Sequence, residues 1–177
     1  MRRAGHLVRR FFGALRPGEP SAHDDAWVAD VLTPAEREVW ARMPAHDRRH
    51  AVGVARRVER ALSGAPEAGD DRWIAAALLH DVGKLDAGLG VFARVGATIA
   101  GGLAGHDMAD AWSEKRGITR RVGLYLRHAE LGETRLRVIG ARDETAAWAG
   151  AHHDQSSWPS LGFPEHVVTA LDEADDD

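Results

Sequence analysis

Apolar residues recur along most of this chain at intervals of three and four, the period that places them on one face of a helix. Thr33-Pro34-Ala35-Glu36 opens one such run with a capping hydroxyl, a proline at the first helical position and a glutamate three residues on. Val39, Trp40 and Met43 continue it, and Pro44 ends it. A second helix is predicted from near Ala45, with Ala51, Val54, Ala55, Val58 and Leu62 as its stripe and Ser63-Gly64-Ala65-Pro66 as its stop. A third runs from about Asp71 through Ile74, Ala77 and Leu78 to His80, after which Gly83 and Gly88 would break or bend the chain. Ile118 to Leu131, Asp143 to His152 and Pro164 to Ala174 read as further helices, and Gln155 to Phe163 as the clearest loop. No run shows the strict alternation of a strand. The pattern predicts an all-α, single-domain helical fold.

Composition narrows the function classes. The chain has 177 residues, enough for one domain with a core, and its net charge of −4 gives no global basic field to favour nucleic acid. Charge is uneven: the first sixteen residues carry Arg2, Arg3, Arg9, Arg10 and Arg16 with no acid, while the chain ends in acids from Asp172. The basic N-terminal helix could touch an anionic lipid surface, but a solvated helix packed on the body is the favoured reading. Residues 1–44 are accordingly read as a helical extension and residues 45–177 as the main body. Val91 to Gly105 is the nearest approach to a membrane span, yet it is short and contains Arg94. With no cysteine there are no disulfides and no thiolate metal sites, which suits a cytoplasmic protein. Any metal would rest on His, Asp, Glu or water, and ten histidines make that practicable.

The segment Leu79-His80-Asp81-Val82-Gly83-Lys84 carries the sharpest chemistry. Adjacent imidazole and carboxylate can hold one divalent ion, and a carboxylate has two oxygens with which to bridge a pair of ions. A lysine three positions after Asp81 could turn its ammonium toward a bound phosphate. An acid at the end of an apolar helix needs a partner to be stable there. His50, His128, His152, His153 and Asp172 are the further ligand candidates. Each has a bland alternative: His50 lies among arginines, a surface histidine pair is not rare, and Asp172 competes with Glu173, Asp175 and Asp176. His46, His106, His166, His6 and His23 are assigned no role. Gly96, Gly101, Gly102 and Gly105 do not form a phosphate loop, lacking the Lys-Ser/Thr that would follow. Of the tryptophans, Trp158 is the one placed to face a substrate.

The order His50, then His80-Asp81, then Asp172 resembles the HD superfamily of metal-dependent phosphohydrolases over about residues 45 to 176. His128, in Arg127-His128-Ala129-Glu130, and the pair His152-His153 resemble the extra ligands of its dinuclear, HD-GYP-like members. The tripeptide Gly162-Phe163-Pro164 departs from that branch, so its cyclic-dinucleotide substrate is not carried over. The resemblance implies a helical HD-domain fold around two divalent ions, one on His50, His80, Asp81 and Asp172, the other on Asp81, His128, His152 and His153. It implies hydrolysis of a phosphomonoester or phosphodiester of a nucleotide or another small phosphorylated molecule by metal-activated water, with Asp81 and Lys84 as catalytic residues. Imidazole–carboxylate sets accept Mn, Fe, Mg, Ni, Co or Zn, and the sequence does not choose among them. Two other functions stay open: a metal-binding signalling or ligand-sensing module without turnover, and a di-iron oxygenase.

Overall fold

The computed structural model describes residues 18–89 and 106–176. The basic N-terminal segment and the glycine-containing stretch from Val91 to Gly105 lie outside the described residues. The helices in chain order are α1 (Ala22–Val31), α2 (Pro34–Trp40), α3 (Ala45–Ala61), α4 (Asp71–Leu79), α5 (Lys84–Ala87), α6 (His106–Ser113), α7 (Gly117–Leu126), α8 (His128–Val138), α9 (Asp143–Ala151) and α10 (Glu165–Asp176). A 3-10 turn, Trp158–Leu161, lies in the predicted loop. Among the described residues there is no strand, and no helix is long and apolar enough to cross a membrane. The fold is all-α and single-domain.

Helix α4 is the axis of the bundle. Ala75, Ala76, Ala77, Leu78 and Leu79 are all fully buried, because α3, α9, α10 and α1 pack around this one helix. A helix apolar on every side can only be a buried one. Its alanines let neighbours approach closely, and its two leucines each contribute about 2 kcal/mol of burial. The stripe foreseen on α3 is buried against it, from Ala51 through Val54, Ala55 and Val58 to Leu62. Asp70 caps the start of α4 by accepting from the Arg72 backbone N–H. The Arg72 side chain then bridges Asp70 and Glu144, tying the start of α4 to the first turn of α9.

The capping box at Thr33 forms as the sequence predicts, and its glutamate does more than cap. Glu36 is completely buried. It accepts from the Thr33 backbone N–H at 2.9 Å, and from the backbone N–H and the guanidinium of Arg142 at 3.1 and 2.7 Å. Arg142 also donates to the Val31 carbonyl at 3.0 Å. One carboxylate therefore fixes α2 to the residue that precedes α9. Val28, Val31, Leu32, Val39, Trp40 and Met43 join the same core as α3 and α4.

Two boundaries differ from the sequence expectation. The helix expected over Ile118 to Leu131 is two helices, divided at Arg127, whose φ of −95° and ψ of 14° leave the helical range. The Arg127 guanidinium is held there by Asp110 at 3.1 Å, Ser113 at 3.2 Å and Glu130 at 2.8 Å. Gly83 is not a breaker through its conformation, since its backbone is right-handed with φ −65°. Its missing side chain is what matters: a Cβ there would lie 1.8 Å from the His128 carbonyl oxygen and 2.6 Å from the Gly132 backbone nitrogen. Gly88, at φ 55°, does end α5 in the left-handed conformation.

Glu36→Ala leaves a half-buried guanidinium and two backbone N–H groups without their acceptor, a cost of about 3 kcal/mol. Thermal denaturation followed by circular dichroism should show a clear fall in midpoint. The exposed neighbouring substitution Glu38→Ala should leave that midpoint unchanged.

Candidate metal centre

Helices α4, α7 and α9 all end at one place, and each end carries a histidine. A helix leaves its last carbonyls without intrahelical partners. His80 follows α4 and its Nδ1 lies 2.8 Å from the Ala77 carbonyl; His152 follows α9 and its Nδ1 lies 2.9 Å from the Ala149 carbonyl. His128, just past the break at Arg127, places its Nδ1 2.7 Å from the Tyr125 carbonyl. A carbonyl can only accept, so Nδ1 is the protonated nitrogen in all three rings. Each Nε2 then faces inward, and all three are buried and make no hydrogen bond. The same brace on the far nitrogen is what fixes a metal-ligating histidine.

Asp81 lies between them. Its Oδ1 is 3.3 Å from His128 Nε2 and 3.7 Å from His152 Nε2, while its Oδ2 is 3.4 Å from His80 Nε2 and contacts the Lys84 ammonium. Lone pairs on nitrogen and carboxylate oxygen repel at such separations unless a proton or cation stands between them. Asp81, His128, His152 and His153 converge closely enough to share one ion, and His50, His80 and Asp175 form a second such group. His50 Nε2 is 3.0 Å and His80 Nε2 3.4 Å from Asp175 Oδ1. Two distinct His/Asp clusters able to coordinate metal ions therefore sit side by side in the helical core. Three helix C-termini directed at them add a negative potential, each end equivalent to about half an elementary charge.

Titration behaviour separates the two clusters. Burial alone would lower His80, but the carboxylates of Asp81 and Asp175 outweigh it and raise its pKa to about 10. Burial lowers His152 to about 4, helped by the positive ends of His80 and His128 against the pull of Asp81. His153 packs its ring 3.9 Å from that of His152 and keeps an exposed edge; its buried part, with His152 and His128, holds it at about 2. Burial opposes ionisation of Asp81 too, yet Lys84 and His80 keep its carboxyl well below the usual range. Unlike the three braced rings, His153 has no hydrogen bond among the described residues to orient it.

The resemblance places Asp172 with His50 and His80; the structure brings Asp175 there instead. Asp172 lies one turn earlier on α10, where burial and the carboxylates of Asp176, Asp175 and Glu173 raise its pKa. Helical register explains the difference. At 3.6 residues per turn, Asp175 lies about 40° around the helix from the buried Leu171, and Asp172 about 100°. The expectation ended the helix at Ala174, whereas α10 runs to Asp176 and so carries Asp175 inward. Arg57 steadies that end by donating to the Ala174 carbonyl at 2.8 Å. Trp158 is also placed differently from expectation. Its Nε1 donates to the Ala151 carbonyl at 2.9 Å and its ring packs against Trp148, so it clamps the end of α9 that carries His152.

No protein-family model, curated protein or solved structure matches the chain. The site must therefore be read from its own chemistry. Three imidazoles and a carboxylate, Asp81, His128, His152 and His153, fit a divalent transition ion, and the group of His50, His80 and Asp175 fits a second.

Asp175→Asn should weaken binding of one ion by at least about tenfold, a common loss for a ligand change, whereas Asp172→Asn should leave both affinities nearly unchanged. Titration calorimetry of the two variants separates these outcomes. A second expectation concerns protons. With a raised pKa near 10, His80 is protonated at neutral pH and must release its proton when an ion binds, whereas His152 and His153 are already neutral. Calorimetry in buffers of differing ionisation enthalpy at pH 7 to 8 should show about one proton released by the His80 group, vanishing above pH 10.

Proposed function

We propose that this chain is a metal-dependent phosphohydrolase of the HD type, cleaving a phosphomonoester or phosphodiester of a nucleotide or another small phosphorylated molecule. The observation that carries the proposal is the pair of adjoining clusters sharing Asp81 as their neighbour, with three buried imidazoles whose Nε2 atoms have no other partner. The order of His50, His80-Asp81 and a C-terminal aspartate supports the same reading, with Asp175 in place of the expected Asp172. Asp81, His128, His152 and His153 would hold one ion; His50, His80 and Asp175 would hold the other. Bound ions supply an acidified water and positive charge for phosphoryl oxygens.

The protein's own residues divide the remaining work. Asp81 presents one oxygen to each cluster, so a single buried carboxylate serves both. The carbonyl braces on His80, His128 and His152 keep the imidazoles from turning away, which limits reorganisation during the reaction. Lys84 is the one lysine at the site, and its ammonium is suited to a phosphoryl oxygen when not engaged by Asp81. His153, exposed on one edge, marks the side from which a substrate can enter. The cysteine-free composition suits a cytoplasmic enzyme.

Asp81→Asn removes the shared charge at constant size. It should lower turnover of p-nitrophenyl phosphate, bis-p-nitrophenyl phosphate or a nucleotide panel at least about a thousandfold, the scale of losing metal assistance. Far-ultraviolet circular dichroism should remain helical. A wild-type chain that binds two ions and hydrolyses nothing in that panel would favour a metal-binding sensing module, and activity retained in Asp81→Asn would overturn the proposal.

A further inference from the structure

The two oxygens of Asp81 have different partners, and the difference has a consequence for how ions load. Oδ1 faces His128 and His152, within the cluster that Asp81 completes. Oδ2 faces His80 but is also in contact with the Lys84 ammonium, and both Lys84 and Asp81 are buried. The second group, His50, His80 and Asp175, converges without Asp81. A positive charge already stands on the oxygen that would bridge the two clusters.

Lys84 is held in that position by backbone as well as charge. Its N–H donates to the Asp81 carbonyl at 3.0 Å, so the two residues share one tight turn. Its ammonium lies 6.0 Å from the centre of the Tyr125 ring, which itself stacks on His128. An ammonium on a carboxylate oxygen opposes a divalent ion at that same oxygen, because like charges a few ångströms apart repel.

We propose that Lys84 is an internal stand-in for the second ion: it neutralises Asp81 Oδ2 until that ion binds at His50, His80 and Asp175, and is released when it does. This rests on the metal-dependent reading given above. Loading is then ordered. The first ion enters the cluster of His128, His152 and His153 through Asp81 Oδ1, with Lys84 in place. To add Asp81 Oδ2 to His50, His80 and Asp175, the second must displace Lys84, so its apparent affinity is reduced by the fraction of molecules in which Lys84 has left. The displaced ammonium becomes free for an anionic substrate only when both ions are present, which couples substrate capture to complete loading.

The chain has only two lysines, Lys84 and Lys115, and Lys115 is exposed. This makes the displacement directly readable in the wild-type protein. Brief acylation with N-hydroxysuccinimidyl acetate, followed by peptide mass analysis, should modify Lys115 equally at zero, one and two equivalents of Co2+. Lys84 should be protected at zero and one equivalent and become reactive at two. In parallel, Lys84→Met keeps the apolar stem and removes the charge; the second Co2+ should bind at least about tenfold more tightly to it than to wild type. Lys84→Arg should behave as wild type. Equal Lys84 labelling at all loadings, or a second ion bound no more tightly by Lys84→Met, overturns the inference while leaving the metal site intact. A wild-type chain that takes up no Co2+ removes the metal-dependent reading and this inference together.

Discussion

Everything at the candidate metal centre depends on one constraint: a helix that stops inside a protein must find partners for its last carbonyls. Here α4, α7 and α9 stop beside the buried residues His80, His128 and His152. Histidine solves the problem with one nitrogen and creates another with the second. Satisfying Ala77, Tyr125 and Ala149 leaves Nε2 of His80, His128 and His152 buried without a hydrogen-bond partner among the described residues. Fold and site are therefore not separable. The contacts that end three helices also set the tautomer and direction of three potential ligands.

The closeness of the helix ends has its own requirement. The turn carrying Asp81 passes so near the start of α8 that position 83 cannot bear a side chain, and Gly132 on α8 supplies the matching space. Glu36 and Arg142 hold the outer helices to the start of α9, and Trp158 holds its far end. The centre is thus framed by rigid elements, while the buried charges within it oppose folding. Asp81 at full burial is tolerable because Lys84 and His80 offset its charge. An ion that took Asp81 Oδ2 would replace compensation the protein already provides, so its affinity would measure a difference between two neutralised states.

Much of the architecture was legible in the sequence because it follows from period and capping. The stripe on α3, the all-apolar α4 and the Thr33–Glu36 box are local patterns, and they formed. Residue types at the centre were legible for a different reason: an acid and imidazoles beside apolar helices demand partners. What sequence could not supply was rotation. Choosing between Asp172 and Asp175 required knowing that α10 continues to Asp176, and the helical angle to Leu171 then favours Asp175. The break at Arg127 was also hidden, since two of the residues that hold it, Asp110 and Ser113, come from another helix. The contact between Lys84 and Asp81 could be foreseen as spacing, but not as competition for one oxygen.

The two clusters also differ in donor chemistry, and that difference bears on which ions each would select. The group around His128, His152 and His153 offers three imidazoles and one carboxylate, whereas the other offers two imidazoles and Asp175. Imidazole favours zinc, copper, iron, nickel and cobalt, while magnesium prefers oxygen donors and retains its waters. Magnesium is therefore a poor match for the imidazole-rich group. The second group, with one fewer imidazole, would suit manganese or another oxygen-tolerant ion better. Within the proposed function, a firmly held ion on the imidazole-rich side and an exchangeable one on the other are expected from donor type and charge alone. The asymmetry follows from the division of one carboxylate between His128 and His152 on one side, and His80 and Lys84 on the other.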